Sequence, residues 1–93
     1  MNETEIIQAA ELFKMFADAT RIKILLCLLE QDYCVGELVE RVGATQTAVS
    51  HQLRALRQKH LVRCRRDGKN IIYAIADDHI KLIMKTAEEH IRE

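Results

Sequence analysis

The chain has no proline and no tryptophan, and aromatic residues fill only 4% of its 93 positions. Set beside 48% apolar and 30% charged residues, these absences describe a compact, soluble, mostly helical domain. Long apolar runs are also missing. The longest, Ile24 to Leu29, is six residues, whereas a membrane span needs about twenty. The stretch Met1-Asn2-Glu3-Thr4-Glu5 is acidic and periodic where a signal peptide would be basic and then uniformly apolar, so the expectation is a cytoplasmic protein with no membrane partner. Cysteines number three, and an odd count without a secretory segment implies free thiols. The length suits one domain spanning residues 1–93, with no repeat, linker or low-complexity stretch and no room for a catalytic unit plus a regulatory one. No Ser/His/Asp or Cys/His arrangement is present, so neither an enzyme nor a small-molecule substrate is expected.

Net charge is absent as well, since the formal sum is zero, and alone that argues against a nucleic-acid partner. The distribution says otherwise. Residues 1–44 carry 4 Lys/Arg against 8 Asp/Glu, residues 45–69 carry 7 against 1, and residues 70–93 carry 3 against 5. A middle segment of +6 therefore lies between ends of −4 and −2, and such asymmetry is the informative quantity for binding a polyanion.

Hydrophobic periodicity supplies the elements. Asn2 with Glu5 forms a candidate capping box for a first helix bearing Ile6, Ala9, Ala10 and Phe13 at helical spacing. Asp18 is placed to cap a second helix, about Ala19 to Glu30, apolar nearly all round and therefore expected at the centre of the core. Val35, Leu38, Val39 and Val42 mark a short amphipathic helix stopped by Gly43, and Thr45 is placed to cap the next helix after a very short turn. This pair reads as a helix-turn-helix. Its second helix, about Gln46 to His60, puts Val49, Leu53, Leu56 and His60 on one stripe, with Thr47, Ser50, His51, Arg54, Arg57 and Gln58 facing away. Two strands, Leu61 to Arg66 and Ile71 to Ile75, surround the turn Asp67-Gly68-Lys69-Asn70, completing a winged helix with a basic hairpin. Asp77 or Asp78 then caps a last helix carrying Ile80, Ile83, Met84, Ala87 and Ile91. The expected architecture is mainly α with a small β-hairpin: five helices plus a wing, dimerising through the first and last helices.

A recognition helix reads base edges with side chains near its amino end and reaches phosphates with cations farther along. Gln46, Thr47, Ser50, His51 and Arg54 suit the first role, and Arg57, Arg65, Arg66 and Lys69 the second. The predicted partner is double-stranded DNA.

Several segments resemble the ArsR/SmtB family of metal-sensing winged-helix repressors: Phe16-Ala17-Asp18-Ala19-Thr20-Arg21-Ile22-Lys23-Ile24-Leu25, Tyr33-Cys34-Val35-Gly36-Glu37-Leu38, Ala48-Val49-Ser50-His51-Gln52-Leu53-Arg54-Ala55-Leu56 and Arg65-Arg66-Asp67-Gly68-Lys69. The resemblance covers nearly the whole chain. It implies a homodimer bound to an inverted-repeat operator, repressing metal-efflux or detoxification genes until an inducer releases it. An Ala at position 19 departs from the family's frequent Asp-Pro, and Ala also starts a helix well.

Asp77, His79, His90 and Glu93 bracket the last helix. Eleven residues separate the two histidines, three turns plus about 20°, so they share a face but stand roughly 16 Å apart. One ion cannot touch both. If two copies of the helix pack antiparallel about a two-fold axis, the pairs Asp77/Glu93 and His79/His90, centred on nearly the same point, face one another across it. Asp77 and His79 of one chain then meet His90 and Glu93 of the other, giving two four-ligand sites suited to Zn(II), with Co(II) as surrogate. The resemblance implies the same ligands, which match the family's zinc-sensing pattern Asp-x-His followed by His-x-x-Glu. Cys34 and Glu37 fall where a thiolate-based family site draws ligands. Gly36 replaces its second Cys and residues 1–16 hold no Cys or His, so Cys34 is read as a spectator. The alternative is a winged-helix repressor with a non-metal inducer, through thiol oxidation or a small molecule.

Overall fold

A computed structural model describes all residues, 1–93. The elements run α1 (Glu3–Lys14), α2 (Ala19–Glu30), β1 (Tyr33–Cys34), α3 (Val35–Val42), α4 (Gln46–Gln58), β2 (Val62–Asp67), β3 (Asn70–Ile75) and α5 (Asp78–Arg92). The caps form where the side chains allow them. Asn2 Oδ1 accepts from the Glu5 N–H at 2.8 Å while Glu5 Oε1 accepts from the Asn2 N–H at 3.0 Å. Asp18 accepts from Arg21, Thr45 from Ala48, and Asp77 from both His79 and Ile80. Gly43, at φ 74°, ends α3 in the left-handed conformation that glycine adopts without steric cost.

Ile24, Leu25, Leu28, Leu38, Val49, Leu53, Leu56 and Leu61 form the centre of one core, closed by Tyr33, Val62 and Ile75 from the sheet and by Ile80 and Met84 from α5. The antiparallel sheet has the order β1-β3-β2. β1 was not expected: Tyr33 and Cys34 are too few for a periodicity signal, and they pair with Tyr73 and Ile72. The hairpin turn has positive φ at Gly68, its first central residue, and not at Lys69, the φ pattern of a type II′ turn.

Two expectations are corrected. α2 is not buried all round. Ile24, Leu25 and Leu28 are buried, but Leu26 is exposed and Ile22, Cys27 and Leu29 are only half-buried, because the chain leaves that flank uncovered. His60 does not continue the apolar stripe of α4. The helix ends at Gln58, His60 turns left-handed at φ 63°, and the fully buried Leu61 takes the inward place. The Leu61 N–H donates to Leu56 O at 2.9 Å and the His60 N–H to Arg57 O at 3.1 Å, a Schellman motif with histidine at the position usually held by glycine. A side chain there costs about 1 kcal/mol.

α1 buries no residue. The Cα radius of gyration is 13.7 Å, above the roughly 12 Å of a fully compact chain this long, and the excess fits helices that leave one side uncovered. Phe13, Leu82 and Ile91 are 62%, 60% and 80% exposed. No helix is long and apolar enough to cross a membrane.

Candidate nucleic-acid interface and metal half-sites

The short turn between α3 and α4 presents the amino end of α4 outward while Val49, Leu53 and Leu56 anchor its inner face at zero exposure. Gln46, Thr47, Ser50, His51 and Arg54 together line one shallow depression that contains no apolar residue. All five are exposed. Gln52, inside the same stretch, serves the frame instead. Its Oε1 accepts from Arg21 Nε at 2.7 Å, and Arg21 Nη1 also donates to Lys14 O at 3.3 Å. Arg21 therefore ties the end of α1 and the start of α2 to the recognition helix. Lys59 adds a second tie through an ion pair with Glu11 at 3.0 Å.

The predicted phosphate-reaching cations divide. Arg57, Arg66 and Lys69 are exposed and take part in none of the salt bridges. Arg65 is paired to Asp32 at 2.8 Å. The register explains the difference, because side chains alternate along a strand. Arg66 lies opposite Ile71 and shares a face with Cys64 and Tyr73, whereas Arg65 lies opposite Ile72 on the other face, with Cys34. Tyr73 borders α4, so Arg66 lies on the α4 side of the sheet and Arg65 props the back of the wing. A second recess, between α4 and the wing, is lined by Ser50, Arg54, Arg57, Gln58, His60 and Tyr73. Gln58, His60 and Tyr73 were not among the expected site residues. Extending the helix through His60 had pointed its ring inward, and the β3–α4 juxtaposition that brings in Tyr73 is tertiary.

At the two ends of α5 the acids and histidines pair locally. Asp77 Oδ1 stands 3.4 Å from His79 Nδ1, and His90 Nδ1 stands 3.5 Å from Glu93 Oε2. Two ligands bound tetrahedrally at about 2.0–2.1 Å are about 3.3–3.4 Å apart, so each pair has the bite for one ion. Neither pair is a full site, and no three His, Cys, Asp or Glu side chains of one chain cluster to hold a metal. The donor set fits zinc as two half-sites. His90 also borders an apolar recess with Phe13, Leu82, Ile83 and Ala87, which puts one half-site at the edge of the uncovered apolar face.

The thiols are dispersed. Burial, reinforced by the neighbouring Glu30 carboxylate and opposed by Arg41, raises the Cys27 pKa. Cys34 and Cys64 sit on the outer strands with β3 between them and on opposite faces, about 10 Å apart across the sheet, too far for a disulfide. Cys34 caps α3, its N–H donating to Glu37 Oε1 at 3.0 Å.

Residues 18–63 match the model of the bacterial regulatory proteins of the arsR family. The chain is 38% identical over 86 residues to a transcriptional repressor SmtB homolog of Synechocystis, covering 92% of this chain and 65% of that protein; it thus spans just under two thirds of that relative's length. It is 33% identical over 88 residues to a cadmium resistance transcriptional regulatory protein CadC homolog of Staphylococcus aureus, covering 94% of this chain and 73% of that one. Among solved structures, the homodimeric winged helix-turn-helix DNA-binding domain of Mb0332 from Mycobacterium bovis superposes with a TM-score of 0.90 at 25% identity, over 100% of this chain and 89% of that one.

Proposed function

The chain belongs to the arsR family of bacterial regulatory proteins, and from that premise we propose that it is a metal-responsive transcriptional repressor, acting in the cytoplasm as a homodimer on an inverted-repeat operator. The family and these relatives are transcription regulators, not enzymes. Zn(II), with Co(II) as a possible substitute, is the effector that causes release and derepression of metal-efflux or detoxification genes. The observation that carries the reading is the all-polar stripe Gln46, Thr47, Ser50, His51 and Arg54 at the amino end of a helix anchored in the core.

In this reading those five side chains meet base edges in the major groove and set sequence preference. Arg57, Arg66 and Lys69 hold backbone phosphates and set the salt dependence. Arg65, engaged by Asp32, contributes less. The uncovered apolar faces of α1 and α5 join two copies, and antiparallel α5 helices bring Asp77 and His79 of one copy to the partner's His90 and Glu93. These four side chains would hold the metal, which would supply a cross-link between the copies. A ligating histidine donates its remaining ring N–H to a nearby acceptor, and that hydrogen bond gives the interface a preferred geometry. Release comes from this geometry, in which the two recognition helices no longer match successive grooves, because added positive charge alone would tighten the grip on DNA. A coupling of about 1–3 kcal/mol is the usual size.

The test is fluorescence anisotropy of a selected inverted-repeat duplex with Zn²⁺, Co²⁺, Ni²⁺ and Cd²⁺ in parallel. The wild type is expected to bind without metal and to dissociate on adding Zn²⁺, while His90→Gln binds as tightly and stays bound. A His90→Gln protein that still dissociates with zinc overturns the ligand assignment, and Co²⁺ absorption reports whether the coordination is tetrahedral.

A further inference from the structure

Gln58, His60 and Tyr73, which line the recess between α4 and the wing, have no role in the reading so far, and the chemistry of the recess is uniform. Arg54 and Arg57 bring two guanidinium groups that have no salt-bridge partner, Ser50, Gln58 and Tyr73 bring neutral donors, His60 brings an imidazole, and no acid lines the recess. Ser50, Arg54, Arg57 and Gln58 recur at helical spacing along one stripe of α4, and Tyr73 comes from β3. His60 adds an independent sign. It occupies a left-handed position where glycine would be free of strain, and it is one of the residues that line the recess. A strained non-glycine residue at an exposed site leads to a hypothesis of function.

We propose that this recess is a seat for one phosphate of the DNA backbone, gripped by Arg57 together with Arg54, which borders both recesses and so stands between the base edges and the phosphate, and oriented by the Tyr73 hydroxyl and the His60 imidazole. The seat rests on the proposal that α4 enters the major groove. With the amino end of α4 against base edges, its carboxyl half rises out of the groove toward the sugar-phosphate ridge, and the wing closes the far side. The Schellman bonds from His60 and Leu61 engage Arg57 O and Leu56 O at the end of α4, which lessens the repulsion that the carboxyl end of a helix exerts on an anion. Arginine pairs and neutral donors around one concavity recognise an oxyanion, and a free phosphate shares that chemistry, so the experiment separates the two sources.

His60→Gly, Tyr73→Phe and the double variant are compared with wild type by anisotropy on an inverted-repeat duplex and on a random duplex. Loss of one neutral hydrogen bond weakens binding by about two- to tenfold. The double variant is therefore expected to lose about four- to a hundredfold, equally on both duplexes, since phosphate contacts carry no sequence information. Its thermal midpoint should not fall, because glycine relieves the strain at position 60, so weaker binding cannot be a folding defect. A double variant that binds both duplexes like wild type overturns the seat while leaving the DNA reading intact; a wild type with no affinity for either duplex overturns both. In NMR titrations the Tyr73 and His60 side-chain resonances should shift with duplex. Shifts with inorganic phosphate and none with duplex overturn the assignment to the DNA backbone.

Discussion

The face built from α4 and the wing carries its polar side chains on elements whose reverse sides are buried, with Val49, Leu53 and Leu56 at zero exposure beneath the recognition stripe. The face built from α1 and α5 is the opposite case. α1 buries nothing, Phe13, Leu82 and Ile91 lie open, and each end of α5 holds only one nitrogen and one oxygen donor in reach of each other. The proposed contact surface for DNA is thus complete in one chain, whereas the proposed effector site would be complete only between two. The contrast suits a sensor: a ligand shifts an equilibrium only by binding one state better than another, and half-sites on separate chains bind well only when the chains adopt one relative placement.

The largest expected effect breaks the second face. Phe13→Glu removes an exposed aromatic from the apolar groove it shares with Phe16, Ile22, Leu26, Ile83 and Ile91 and puts a charge in its place. In a two-fold dimer the change occurs twice, and losing about 2 kcal/mol of burial at each copy weakens self-association about a thousandfold. Analytical ultracentrifugation should find monomer for this variant and dimer for wild type, with the helical circular-dichroism signal retained. A variant that dimerises like wild type would move the interface elsewhere.

The next effect falls on the first face from within. Leu53→Ala leaves a cavity beneath the recognition stripe at a position with zero exposure and should cost about 2–5 kcal/mol in denaturant unfolding. Phe13→Ala, by contrast, should change the unfolding of the isolated monomer by under about 0.5 kcal/mol, the usual range for surface positions. Equal costs at the two sites would erase the distinction between a face supported inside one chain and a face awaiting a second.

The same distinction governs how much was legible in the sequence. Helix starts at Asn2, Asp18, Thr45 and Asp77, the Gly43 stop and the inward stripe of α4 were readable because capping and amphipathic periodicity are local. The outward polar stripe followed from the inward one. What escaped is non-local. β1 exists only because Tyr33 and Cys34 find β3, and Arg65 is engaged only because Asp32 comes to the back of the wing. Gln52 belongs to the frame only because Arg21 reaches it from a helix 31 positions earlier in the chain. His60 escaped for a different reason. A histidine in a left-handed cap leaves no sequence signal, since glycine would be expected there.

The smallest effect tests the joint at which α3 leaves the sheet. The Glu37 carboxylate has a pKa below its ordinary 4.5, chiefly because the Cys34 backbone N–H donates to it, with the Cys34 thiol and the nearby Arg41 adding to the effect. A folded-state pKa below the unfolded one contributes stability above the unfolded value that is lost as pH falls through the folded one. Wild type should therefore unfold at a slightly higher temperature than Glu37→Gln near neutral pH, and the gap should close as the solution is acidified below about 4. Cys34→Ala should keep most of this dependence, because the main donor is the backbone N–H and survives the substitution. If Cys34→Ala instead abolishes it, the thiol is the principal partner, and Cys34 gains an energetic role that its place outside both faces does not otherwise give it.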